Sequence, residues 1–143
     1  LAFEPDPVNR ERVTTRLGAN PRFTLDPRAV SDAPLSGVTF FSSDQSTGAS
    51  SLAAFTQNHH EAATVDVTTL DLALSEYGIE QVRLLKIDAE GFDKHVLEGF
   101  PWDRTQPAAI MCEFEDRKTK PLGYTTAEMA DLLADKGYHV LVS

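Results

Sequence analysis

Carboxylates gather at three points where an apolar run stops. "LAFE" ends at Glu4, "RLLKIDAE" at Asp88 and Glu90, and "IMCEFE" at Glu113 and Glu115. In open α/β sheets, ligands sit beyond the carboxyl ends of the strands. Parallel strands would therefore bring all three sets to one rim. Glu4 suits a ribose, because a carboxylate accepts from both vicinal hydroxyls; it suits a turn cap equally well. In an alternating strand, Asp88 and Glu90 fall on one side and Lys86 shares it. That pair reads in three ways: a polar floor or general base beside a reacting group, a Mg²⁺ site, or acids dressing the N-terminus of the next helix with Lys86 paired to one of them.

Other polar residues carry weaker chemistry. His59 and His60 are adjacent in "TQNHHEAAT", a polar loop, and adjacent side chains rarely ligate one metal. They read as solvent-exposed, with a role in covering substrate as the alternative. His95 reads as surface, and Cys112 as a small buried hydrophobe. Trp102 reads as a packing anchor over a helix end. "DRKTK", 116–120, reads as a solvated loop, with steering of an anionic substrate as the alternative, and "SSDQSTGASSLAAF" as a mobile loop or a short helix near its end that could lie over an acceptor.

The elements that must position these groups alternate along the chain. "LAFEP" is a strand end, and Asp6–Pro7 starts a helix, with Asp as cap and Pro at the first helical position. Val13 and Leu17 share a face of that helix, which Gly18 stops. Phe23–Leu25, "GVTFF" (37–41) and "ATVDVTTL" are strands, and "DLALSEYG" is a short helix. "RLLKIDA" is the strongest strand. Phe92, Val96 and Phe100 then recur at helical spacing, and "PAAIMCEF" is another continuous apolar strand. "TTAEMADLLADKG" is a helix with Thr125 and Glu128 as a capping box and Gly137 as its stop. "YHVLVS" is a last strand. Continuous apolar strands alternating with helices predict a parallel sheet covered on both faces, an α/β layer fold.

Composition narrows the partners. The 143 residues carry a net charge of −9, which argues against nucleic acid and anionic membrane as partners. The opening "LAFEPDP" has no basic n-region or long apolar core, so it is no signal peptide. It begins inside an apolar stretch without methionine, as a fragment or trimmed domain would. The single cysteine excludes a disulfide within the chain and permits a reducing compartment, so a cytoplasmic location is expected.

"LLKIDAEGFDKHVLEG" resembles the motif of the FkbM family of S-adenosylmethionine-dependent methyltransferases. "FEPDP", "TVDVTTLDLAL" and "IMCEFE" resemble further segments of that family in the same order. The resemblance implies a Rossmann-like class I methyltransferase sheet, mostly parallel, with residues 1–143 forming a single partial domain. It implies S-adenosylmethionine as cofactor, with Glu4 on its ribose, Ser31–Asp32 near the adenine, Asp88 below the methyl end and Glu90 facing substrate. The implied reaction is methyl transfer to a hydroxyl of a sugar, another glycan or a natural product. Asp88, Glu90, His59 and His60 are the candidate bases.

One departure stands out. The family's glycine-rich loop, upstream of the "FEP" segment, is absent, and "GAN" at Gly18–Asn20 comes too late to replace it. The first, central strand of the sheet, between the strands of Glu4 and Asp88, is thus expected to be missing, and a last antiparallel strand is a further candidate for absence. Either the native chain continues upstream or the Glu4 strand pairs directly with the Asp88 strand. Weak cofactor binding by this chain alone follows. Two other classes remain: a non-catalytic binding or assembly module that keeps the fold without the cofactor, and a Mg²⁺-dependent hydrolase built on Asp88, Glu90 and Glu113.

Overall fold

The structure, a computed structural model, describes residues 1–43, 46–54 and 59–142. Among the described residues, eight strands in three separate sheets alternate in part with five α-helices. β1 (Ala2–Phe3) pairs in parallel with β2 (Leu25–Asp26). β3 (Ala29–Val30), β4 (Leu35–Ser43), β5 (Ser46–Ser51) and β6 (His59–Thr68) form a sheet of order β3-β6-β4-β5. β7 (Leu84–Ile87) pairs in parallel with β8 (Ala109–Cys112).

The expectation of a mostly parallel sheet is corrected here. β3 runs parallel to β6, but β4 is antiparallel to both β5 and β6, and β4–β6 is the longest pairing among the described residues. Only residues 44 and 45 separate β4 from β5, far short of the roughly dozen residues that a parallel crossover needs. Much of the serine-rich segment read as loop or helix is therefore strand, while residues 44–45 and 55–58 fall outside the described residues. His59 and His60 open β6 rather than lying in a loop. Residues 138–142 form no strand, and Leu141 is 94% exposed. β1 and β7 are not paired with each other, so direct joining of the Glu4 and Asp88 strands does not occur.

The helices start where capping chemistry dictates. α1 (Pro7–Leu17) is capped by Asp6, whose Oδ1 accepts from the N–H groups of Val8 and Asn9 at 2.8 and 3.1 Å. It buries none of its residues, so the face expected at Val13 and Leu17 does not enter a core. α2 (Leu70–Glu76) is capped by Thr69, and α5 (Thr126–Asp135) has the expected Thr125–Glu128 capping box. α3 (Asp93–Glu98) follows β7, and α4 (Asp116–Thr119) follows β8.

Two cores result. The larger gathers Leu70 and Leu74 of α2, Ile87 of β7, Val96 and Leu97 of α3, and Met129 and Leu133 of α5. Leu97 is fully buried, and burying such a side chain contributes ~1.5–3 kcal/mol. The smaller joins Ala29, Phe40, Val65 and Val67 across β3, β4 and β6. The β7–β8 sheet is covered on one face only: Leu85, Ile87, Ile110 and Cys112 turn toward the larger core, while Leu84 and Met111 are 65% and 59% exposed. Cover on both faces, expected from the apolar runs, is thus not found. No helix among the described residues is long and apolar enough to cross a membrane.

Candidate functional site

A cavity of about 800 Å³ lies where β1 and β7 face each other without pairing. Its lining includes Phe3 and Glu4 from the end of β1, and Asp88 and Glu90 from the turn after β7. Ser50 and Ser51 at the end of β5 also line it. This volume falls in the ~300–1,000 Å³ range of small-molecule sites.

Glu4 is half-buried, and its Oε1 accepts from the N–H of Asp6 at 3.0 Å. Burial pushes its carboxyl above the ordinary range; the Asp6 N–H pulls it back, and the Asp6 carboxylate adds to the rise. Asp6 itself is buried and serves two elements at once. Beyond capping α1, its Oδ2 accepts from the hydroxyls of Ser42 on β4 and Ser50 on β5, at 2.7 and 2.9 Å. Burial alone would raise its carboxyl, but these hydroxyls and the cap N–H groups outweigh it and hold the group low. One carboxylate thereby ties the Glu4 segment to the β4–β5 hairpin.

The strand-end acids converge as far as the sequence predicts, but by another route. β7 stops at Ile87, so Glu90 lies in a turn rather than on the strand face shared by Lys86 and Asp88. Glu90 takes φ = 49°, the one left-handed non-glycine residue among those described, and Gly91 follows at φ = 99°. Even so, carboxylate oxygens of Asp88, Glu90 and Glu113 come within 4.8 Å of one another. Lys86 pairs with Asp88 at 2.8 Å and holds its carboxyl low. Glu113 is pushed up, first by burial; Lys118 opposes the rise, and the Asp88 and Glu90 carboxylates add to it.

Two residues passed over in the sequence organise this rim. Asp93, almost fully buried at the start of α3, accepts from the N–H groups of Ala89 and Glu113, both at 3.2 Å. It binds the turn after β7 to the end of β8, and burial pushes it up to about 6. Lys118 stands in "DRKTK", whose first four residues are helix α4 rather than a solvated loop. Its ammonium pairs closely with Glu90, and with Glu115 and Glu113 at 3.0 and 3.9 Å. Alternating charge in a short polar segment gives no sign of such a contact, which spans 28 residues of chain.

The remaining candidates lie apart. Val30 lines the cavity, but Ser31 and Asp32 lie just past it, with the Ser31 hydroxyl donating to Asp32 at 2.9 Å. Ser31 is buried against the end of α3, where a Cβ on Gly99 would stand 2.3 Å from its carbonyl oxygen. This close approach requires glycine at position 99. His60 is exposed on β6 and outside the cavity lining. His95 is not surface: it is half-buried between the rings of Phe92 and Tyr124. Cys112 is half-buried, and burial pushes its thiol up to about 12. Trp102 anchors the end of α3 as expected, its Nε1–H donating to the Leu97 carbonyl at 2.8 Å.

Residues 1–140 match the family model described as the methyltransferase FkbM domain. Comparison with curated proteins and with solved structures returned no match.

Proposed function

The chain belongs to the FkbM methyltransferase domain family, and from that premise we propose that it serves S-adenosylmethionine-dependent methyl transfer to a hydroxyl of a small molecule or glycan. The observation that carries this reading is the single cavity lined by Glu4 at the end of β1 and by Asp88 and Glu90 after β7. The acids at its rim suit both vicinal hydroxyls and a cationic group. S-adenosylmethionine, when bound, supplies an electrophilic methyl group on its sulfonium.

The chain's own residues bind and orient. Glu4, with one oxygen engaged by the Asp6 N–H, accepts the ribose hydroxyls through its remaining lone pairs. Ser31 and Asp32 serve the adenine end. Asp88, kept ionised by Lys86, sits toward the cationic end, and its half-exposed carboxylate accepts a hydrogen bond from the acceptor hydroxyl, as a candidate base must. Glu90 forms the acceptor side of the wall. Displacement at a methyl group demands mainly alignment of the two reactants.

The open slot between β1 and β7 supports a further part of the reading: it takes another parallel strand, and the chain without one binds cofactor weakly. Unpaired backbone along two strand edges is costly, which favours filling the slot. Titration calorimetry with S-adenosylhomocysteine tests both parts, on this chain and on an N-terminally extended one. Binding should be weak for the first and strong for the second. No heat from the extended chain would sink the reading. Glu4→Ala should weaken binding by ~1–3 kcal/mol, the loss expected for charged hydrogen bonds; unchanged affinity would remove the ribose role.

The closeness of Asp88, Glu90 and Glu113 favours the second reading, a Mg²⁺-dependent hydrolase. The ammonium of Lys118 among the same carboxylates opposes it.

A further inference from the structure

Four carboxylates meet at the rim: Asp88 and Glu90 after β7, Glu113 after β8, and Glu115 before α4. Like charges this close raise one another's cost of ionisation unless a cation intervenes. Lys86 answers Asp88 from the exposed side. Arg117 meets Glu115 at 2.8 Å from the exposed side as well, and among the described residues the inner side is answered by Lys118, whose side chain is 18% exposed and reaches Glu90, Glu115 and Glu113. An ammonium has three donors on a compact point charge, which matches three carboxylates arranged around it.

The backbone shows what this contact holds. Glu90 occupies left-handed space, which is costly for a residue with a Cβ. Such a conformation persists only when its surroundings over-determine it. Three restraints do so here. Lys118 takes the Glu90 carboxylate, the Ser51 hydroxyl donates to the Glu90 carbonyl at 3.1 Å, and the Tyr124 hydroxyl donates to the next carbonyl, of Gly91, at 2.6 Å. Ser51 and Glu90 both line the cavity. Glu90 is thus fixed as wall, its carboxylate drawn onto α4.

We propose that Lys118 is the positioning residue of this rim: its ammonium serves as a built-in cation in place of a divalent metal ion and locks Glu90 in its turn. For catalysis this rests on the methyltransferase reading, in which the wall at Glu90 orients the acceptor. The cation role itself does not depend on that reading.

Two measurements decide it. The first is limited acetylation of the unaltered protein, read by mass spectrometry. Lys118 should react about tenfold more slowly than Lys120, which is 63% exposed and pairs only with Asp116, because an ammonium held among carboxylates offers little free amine. Equal rates would overturn the proposal, and this measurement stands even if a Lys118 variant fails to fold. The second is calorimetric titration with Mg²⁺ and Mn²⁺. The unaltered protein and Lys118→Arg should bind neither ion, while Lys118→Met should gain a site. Equal binding by unaltered protein and Lys118→Met would overturn the proposal, since a structural lysine alone would not govern metal affinity. Titration with S-adenosylhomocysteine on the same N-terminally extended samples reports separately on the methyltransferase reading, so the two failures are distinct.

Discussion

Two ionic clusters at strand ends differ in how completely the charge is answered. At the end of β2, Asp26 is almost fully buried and both of its oxygens are engaged by the Arg28 guanidinium, at 3.0 and 3.1 Å from Nε and 2.6 Å from Nη2. Tyr77 donates to the same carboxylate, and Arg28 continues to Glu76 at 2.6 Å. Burial pushes Asp26 up, but Arg28 outweighs it and holds the group low. At the ends of β7 and β8, four carboxylates share Lys86, Lys118 and the exposed Arg117, which pairs with Glu115 at 2.8 Å, and Asp88 and Glu113 remain about half exposed beside or near the cavity. A planar fork closes the first cluster; the lysine point charges at Asp88, Glu90 and Glu113 leave the second with acceptor capacity to spare. The two clusters therefore differ in the geometry of their counter-ions rather than in their position at strand ends.

Arg28→Met should break the first cluster with the largest effect. It leaves a buried carboxylate unpaired and should cost ~3–5 kcal/mol in a denaturant melt. A loss below about 1 kcal/mol, the worth of an exposed pair, would erase the distinction between the clusters.

Acid titration sharpens the comparison. Asp93, beneath the second cluster, has its carboxyl raised from 3.8 to about 6 by burial. The folded protein then binds its proton more tightly than the unfolded chain does. Its contribution favours folding below about pH 4 and is lost as pH rises toward 6, by ~3 kcal/mol for a shift of this size. Asp26 has the opposite sign: its depressed carboxyl stabilises above its unfolded value and loses that contribution as pH falls through the folded one. Asp93→Asn should flatten the fall in stability between pH 4 and 6. An unchanged slope in pH-dependent melts would show that Asp93 is not its source.

The smallest effect belongs to Lys86→Met. Its pair with Asp88 joins two side chains that are 57% and 50% exposed, so the loss of stability should stay under ~1 kcal/mol. Chemical denaturation checks this, and a loss approaching that of Arg28→Met would mean that the rim is structural after all.

What the sequence disclosed follows local physics. The Asp6 cap, the Thr125–Glu128 capping box and the β7–α3 succession depend on neighbours within a few residues, and all are found. Family motifs marked Glu4, Asp88 and Glu90, which share one cavity. The strand β5 was hidden because Ser, Gly and Ala have little β preference of their own; pairing with β4 and the grip of Asp6 on Ser42 and Ser50 hold it. Apolar runs at β7 and β8 signal a demand for cover, yet say nothing of what meets it, and Leu84 and Met111 stay exposed. Lys118 and Asp93 act across folds of the chain that no spacing rule encodes.

Asp6 gives the region around the cavity its cooperativity. The same carboxylate caps α1 and receives both hairpin hydroxyls. Fraying of the helix start and lifting of the hairpin thus become one opening event. The amides of Val8 and Asn9 should exchange hydrogen with the free energy of the β4–β5 pairing, and Asp6→Ala should split them into two separately exchanging units.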